Sequence, residues 1–170
     1  LIDIGNWSDD VTVSWNKIHE SNIAFLVGFG PNVPDDIGKL NVTVHHNYFY
    51  NNSERNPSTI TGHIHVFNNY IKDVSGYGIG ATIGVTLRTD YNYFENVKSP
   101  IRTDFNNSPG FVSGVETNFF DAACGNNAIT TQASNWTPTS IYKYKNYVTT
   151  AQQAKIDIQA HAGPDYSITH

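Results

Sequence analysis

The chain has 170 residues, room for one domain with a real core, and carries a net charge of -5 with a pI near 5.7. That balance offers nucleic acid no cluster of Lys and Arg, and no run of 18 apolar residues exists to cross a membrane as a helix. Charged residues make up only 15% of the chain, which excludes the Ala/Leu/Glu/Lys mixture of a helical bundle and favours strands separated by polar turns.

Leu1-Ile2-Asp3-Ile4 reads as a strand, with no start methionine or leader ahead of it, so the chain is expected to begin inside a larger domain. A phrase then recurs: an aliphatic residue, four more residues, an Asn, one residue, an apolar residue. It runs Val11-Thr-Val-Ser-Trp-Asn16-Lys-Ile18, then Val42-Thr-Val-His-His-Asn47-Tyr-Phe49. It returns as Ile64-His-Val-Phe-Asn-Asn69-Tyr-Ile71 and Leu87-Arg-Thr-Asp-Tyr-Asn92-Tyr-Phe94, with a degenerate copy around Asn118. The Asn positions are 31, 22, 23 and 26 residues apart. Each copy is short, β-branched and aromatic, with alternating apolar positions, and none is followed by a crossover helix. Parallel strands joined without helices at about 22 residues per repeat predict a β-solenoid, with the Asn residues stacked as a ladder.

Between the first two copies, Phe29-Gly-Pro-Asn-Val-Pro-Asp-Asp-Ile-Gly38 reads as an inserted loop, with Asp35 and Asp36 in solvated turns, as Asp9 and Asp10 are expected to be. Adjacent strand residues face opposite sides, so His45 and His46 are not expected to meet; His63 and His65 share a face but lack a third metal ligand. Beyond residue 122 the repeat dissolves into a polar loop, a short helix over 150–161 and a tail. The single Cys124 can form no internal disulfide. Acceptor patterns for N-glycosylation at Asn6, Asn41, Asn51, Asn106 and Asn135 lend weak support to secretion.

The order Leu1-Ile-Asp-Ile, Leu26-Val-Gly28, Val42-Thr-Val-His-His-Asn47, Arg55-Asn-Pro57 and Gly62-His-Ile-His65 resembles that of the pectate/pectin lyase family over roughly residues 1–122. The resemblance implies an all-β fold, a right-handed parallel β-helix, here of about five coils over 1–122. An irregular C-terminal segment over 123–170 would pack on it. It also implies secretion, and cleavage of polygalacturonate or pectin by β-elimination, usually with Ca²⁺. The family pattern R-x-P-x-x-R-x-G reads Arg55-Asn-Pro57-Ser-Thr-Ile60-Thr-Gly62 here. Arg55 therefore matches the catalytic base, although a guanidinium is ordinarily protonated, and Arg55, His63 and His65 are assigned to substrate. Asp3 matches one calcium-ligand carboxylate; its usual partners lie ahead of Leu1, and Ca²⁺ takes six to eight oxygens.

Two departures accompany the match. The family's substrate-binding Arg is Ile60 here, and its substrate-gripping Lys is Ile23. They keep open a lyase-like protein that binds polysaccharide without cleaving it, and a structural solenoid piece whose coil end pairs end to end with another chain. A hydrolase of polygalacturonase type would need a constellation of Asp residues, for which the sequence offers only turn positions.

Overall fold

A computed structural model of the chain describes residues 1–30, 36–105 and 108–164. Asp35 and Asn106, named above, lie outside the described residues. Two parallel sheets wind into the expected β-helix of about five coils. The smaller has five strands in the order β12 (Phe111–Ser113), β10 (Thr86–Asp90), β8 (His63–Phe67), β5 (Asn41–His45) and β2 (Val11–Ser14). The larger, of eight strands, runs β1 (Ile2–Ile4), β4 (Phe25–Val27), β7 (Ser58–Ile60), β9 (Tyr70–Thr82), β11 (Tyr93–Arg102) and β13 (Phe119–Phe120). It is joined by β3 (Lys17–His19) and β6 (Tyr48–Tyr50) through β9.

In-register parallel pairing puts like over like. Val11, Val42, Ile64, Leu87 and Val112 form one continuous row, as do Ile18, Phe49, Ile71, Phe94 and Phe120. The middle members of both rows are buried in one core, each fully buried side chain contributing about 1.5–3 kcal/mol relative to exposure. Because side chains alternate across a strand, the residues between them face outward, and these outer rows carry the chemistry described below.

The predicted ladder is complete and includes the degenerate copy. Asn16, Asn47, Asn69 and Asn92 each donate Nδ2–H to the Oδ1 of the next Asn, ending on Asn118, at 2.9–3.1 Å. The same Oδ1 atoms accept the backbone N–H of the preceding Asn. Each of the first four Asn residues follows a residue with left-handed backbone: Trp15 (φ 60), His46 (φ 53), Asn68 (φ 47) and Tyr91 (φ 50). This conformation costs a non-glycine residue roughly 1–2 kcal/mol, and it turns the chain sharply from one sheet into the other. The ladder bonds at the same corner offset that cost.

It also corrects the expectation for His45 and His46. The corner breaks strand alternation, and the two rings converge, with Nδ1 atoms 2.9 Å apart. Of the acidic turn residues Asp10 is exposed as expected, but two others are not. Asp36 is buried and accepts the Trp7 N–H at 2.9 Å, while Asp9 accepts from Asn41 and pairs with Lys39.

After β13 the chain runs through short 3₁₀ turns to α1 (Ala151–His161), whose first turn is capped by the Thr150 hydroxyl accepting Gln153 N–H. Ala154 and Ile158 pack on Tyr70, and Lys155 reaches Glu95 while lying 4.4 Å above the Tyr93 ring. Burial alone would raise the Glu95 carboxyl. Hydrogen bonds from Lys155, Tyr70 and Lys72 outweigh it and hold the value at about 2.

Asn69→Ala should lower the unfolding free energy by about 3 kcal/mol in urea titration, because it orphans buried groups on two neighbouring coils. Asn16→Ala, at the exposed end of the ladder, should cost under about 1 kcal/mol. The folded-state value of Glu95 lies below its unfolded value of 4.5. Its stabilisation is therefore present above pH 4.5 and lost as pH falls towards 2. Lys155→Ala should flatten that dependence in thermal unfolding midpoints measured from pH 6 to about 2.5.

Candidate active site

On the outer face of the larger sheet, register aligns Asp3, Leu26, Ser58, Gly80 and Arg102 in one row along the axis. Ile60, two residues beyond Ser58, shares that face, opposite Thr82. Gly28 sits against Ile60 with φ 82. A Cβ there would fall 2.7 Å from the Ile60 carbonyl oxygen, so glycine lets the two coils approach.

Arg55 lies at the bend leading into β7, itself in left-handed backbone (φ 65). Its carbonyl accepts Phe25 N–H at 2.9 Å, and Asn56 N–H donates to the Gly78 carbonyl at 2.8 Å, which fixes the bend between two coils. The Arg55 Nε is 3.4 Å from Glu54 Oε1 and is buried without a hydrogen bond among the described residues. One coil on stands Tyr77. Burial raises its phenol, while Ser58, Glu54 and Arg55 act on it in opposing directions. Arg102 lies 5.6 Å over the Tyr77 ring and pairs with Asp104 at 2.7 Å. The face thus presents two guanidiniums about a tyrosine, each beside a partly exposed carboxylate that an anionic ligand group would displace.

Sequence reasoning missed Tyr77 and Arg102. Neither falls in a family motif, and a 13-residue β9 and a 10-residue β11 place them beside Arg55 through register alone. Ile23 bridges to Glu54 and is 37% exposed, so two of the family's cation positions on this side are aliphatic.

Asp3 is exposed on β1, two coils and so roughly 10 Å along the axis from β7. Among the described residues no three His, Cys, Asp or Glu side chains are grouped to hold a metal. A single carboxylate is a poor match to an ion that takes six to eight oxygens, so the donor set of the described residues does not fit Ca²⁺.

His63 and His65 do not join Arg55. They lie on the smaller sheet, under the C-terminal segment. His65 is 1% exposed between Asp90, at 3.1 Å from Nε2, and the Tyr142 hydroxyl on Nδ1. Burial lowers its pKa despite the Asp90 bond, so the ring is neutral, donating to Asp90 and accepting from Tyr142. Arg88 closes the network with bonds of 2.6–2.9 Å to Asp90. With both ring nitrogens occupied, His65 fastens the C-terminal segment to the solenoid. His63 is exposed and lies against Trp136, with ring centroids 5.2 Å apart.

The larger sheet of this parallel β-helix thus carries two arginines on its outer face, Arg55 beside Glu54 and Arg102 paired with Asp104. Residues 1–167 match the family model described as pectate lyase, and the chain belongs to that family. Pectate trisaccharide-lyase of Bacillus licheniformis is 34% identical over 111 residues, 65% of this chain and 32% of the relative. Pectate lyase A of Emericella nidulans is 37% identical over 123 residues, 72% and 36% respectively. Among solved structures, a pectate lyase variant from Xanthomonas campestris superposes with TM-score 0.80 at 25% identity, over 99% of this chain and 53% of that one. A pectate lyase from a Bacillus species, solved in complex with trigalacturonate, gives TM-score 0.67 at 27% identity, over 89% and 48%. The chain thus spans about a third of the curated relatives and about half of the structures it matches.

Calorimetric titration of this chain with CaCl₂ should show no saturable binding below about 1 mM, and Asp3→Asn should leave the trace unchanged. Tight binding lost in Asp3→Asn would contradict the donor count.

Proposed function

We propose that the protein is a secreted pectate lyase-type enzyme acting on polygalacturonate at the face around Arg55. The observation that carries this is the position of Arg55, whose bend is held by backbone bonds to two coils while its side chain lies beside Glu54 and remains partly exposed. In β-elimination the base takes the C5 proton. The electron pair then forms the C4–C5 double bond as the C4–O bond breaks, and the departing oxygen takes up a proton. The first transfer is assigned to Arg55, on the strength of its match to the family pattern. Arg102, on the row that holds Ser58, would take the uronate carboxylate, the task left open by Ile60, by exchanging its fork to Asp104 for one to the sugar. No step is routed through calcium, since the described residues do not form its site.

Ile23 and Ile60 favour a second reading, a lyase-like binder of the same polymer, because an aliphatic side chain cannot hold a uronate. Absorbance at 235 nm, which follows the unsaturated product, separates the two. Polygalacturonate should give a rise that Arg55→Ala abolishes, that Arg102→Ala reduces about 10-fold or more, and that Ile60→Arg increases. A flat trace with the folded chain and with Ile60→Arg, alongside retained trigalacturonate binding, would establish the binder instead.

A further inference from the structure

The smaller sheet carries a second concave site that the Arg55 chemistry does not use. Its outer rows, Thr12–Thr43–His65 and His45–Phe67, form the floor, and Trp136, Ile141, Tyr142 and Tyr147 of the C-terminal segment form a wall. At the corner Trp15 also lines it, stacked on His46 at 4.6 Å and still 36% exposed. The cavity holds about 540 Å³, within the range of sites that take small ligands.

Its charge is as informative as its shape. Among the described residues no Lys or Arg lines it, and the carboxylate on its rim is Asp10. Arg88 and Lys145 line a neighbouring cavity instead. Three of its histidines, His45, His46 and His65, are all shifted away from the charged form by burial. Burial, and then the charges of His46 and His65, push His45 down to about 4, and burial lowers His46 as well. A galacturonate would enter with its carboxylate unpaired and facing Asp10, a costly desolvation. A purely apolar ligand would cover the Thr12 hydroxyl and the His63 edge without offering either a hydrogen bond. Indole and phenol rings flanking hydroxyl, amide and neutral imidazole groups match a molecule with apolar C–H faces and a rim of uncharged hydroxyls.

We infer that this groove is a second carbohydrate site, separate from the Arg55 face, that takes a short neutral oligosaccharide between Trp15 and Trp136. The solenoid then carries an acidic-polymer face on one sheet and a neutral-sugar groove on the other.

Indole fluorescence and calorimetry on the whole chain test this, with β-1,4-galactotriose and cellotriose as neutral probes and trigalacturonate as the acidic one. At least one neutral trisaccharide should bind saturably with Kd below about 5 mM, and at least about 10-fold tighter in this groove than trigalacturonate. Trp136→Ala should weaken that binding about 10-fold or more, Trp136→Phe should keep it within about 3-fold, and Arg55→Ala should not alter it. Thr12→Lys, on the exposed rim, should narrow the preference against trigalacturonate. Far-UV circular dichroism and unfolding midpoints confirm that each variant is folded. The proposal fails if neither neutral sugar gives a saturable response, or if folded Trp136→Ala binds as well as the parent. It fails equally if trigalacturonate competes for the groove on equal terms, or if the groove takes an apolar dye and neither sugar. Because these readouts are binding at Trp136 and not product at 235 nm, they stand whether or not the chain proves to be an active lyase.

Discussion

The stack of asparagines at one corner of the solenoid is the constraint on which the remaining structure depends. A parallel coil of about 22 residues must turn sharply between its two sheets, and each of four corners does so with a non-glycine residue in left-handed backbone. Such a corner is unfavourable by itself. It persists because the Asn that follows donates to backbone carbonyls and to the next Asn, while its own Oδ1 accepts from the coil before. Asn69, for example, donates to Val44, Phe67 and Asn92 and accepts from Asn47. Every coil is thereby held in the same phase.

Phase is what converts a repeat into function. Once the coils are in register, each outward position becomes a row along the axis, and its properties are the sum of residues far apart in sequence. One such row brings Arg102 onto the line of Asp3 and Ser58, beside Arg55 and Tyr77. On the other sheet the rows through His45 and His65 give a floor of neutral rings and hydroxyls. The two faces differ in how their arginines are held: Arg55 and Arg102 sit beside partly exposed carboxylates, Glu54 and Asp104, whereas Arg88 is tied to a buried Asp90. The segment after β13 completes the second face, held by Tyr142 on His65 and by Asn68 bonded to the backbone of Thr149.

The acidic network around Glu95 has a related structural role. Tyr70 and Lys72 come from β9 and Lys155 from α1, and together they keep one carboxylate ionised against its burial. Such a cluster locks the helix onto a row of stacked tyrosines, where Tyr48 and Tyr70 lie parallel at 4.7 Å. The helix itself has few buried residues, Ala151, Ala154 and Ile158, so the latch contributes orientation as much as energy.

Much of the architecture was legible without coordinates. The spacing of five Asn residues, the β-branched copies around them and the absence of crossover helices specified a parallel solenoid, because a period written in the chain is also the period in space. Arg55 was legible for a different reason: its neighbours Pro57 and Gly62 carry a local motif. What the chain alone could not convey were properties created by stacking. Tyr77 and Arg102 belong with Arg55 only once register is set, and nothing in their own surroundings announces it. His45 and His46 were expected on opposite faces, an inference valid for a regular strand. The left-handed corner at His46 turned them together, since backbone strain of that kind is sustained by contacts between coils and not by the residue that bears it. His65 looked like a surface ligand until the C-terminal segment, more than 70 residues later, was seen to cover it. Local pattern determined the coil; which residues share a face, and which are buried beneath another segment, was decided by the tertiary structure, because those relations exist only between coils.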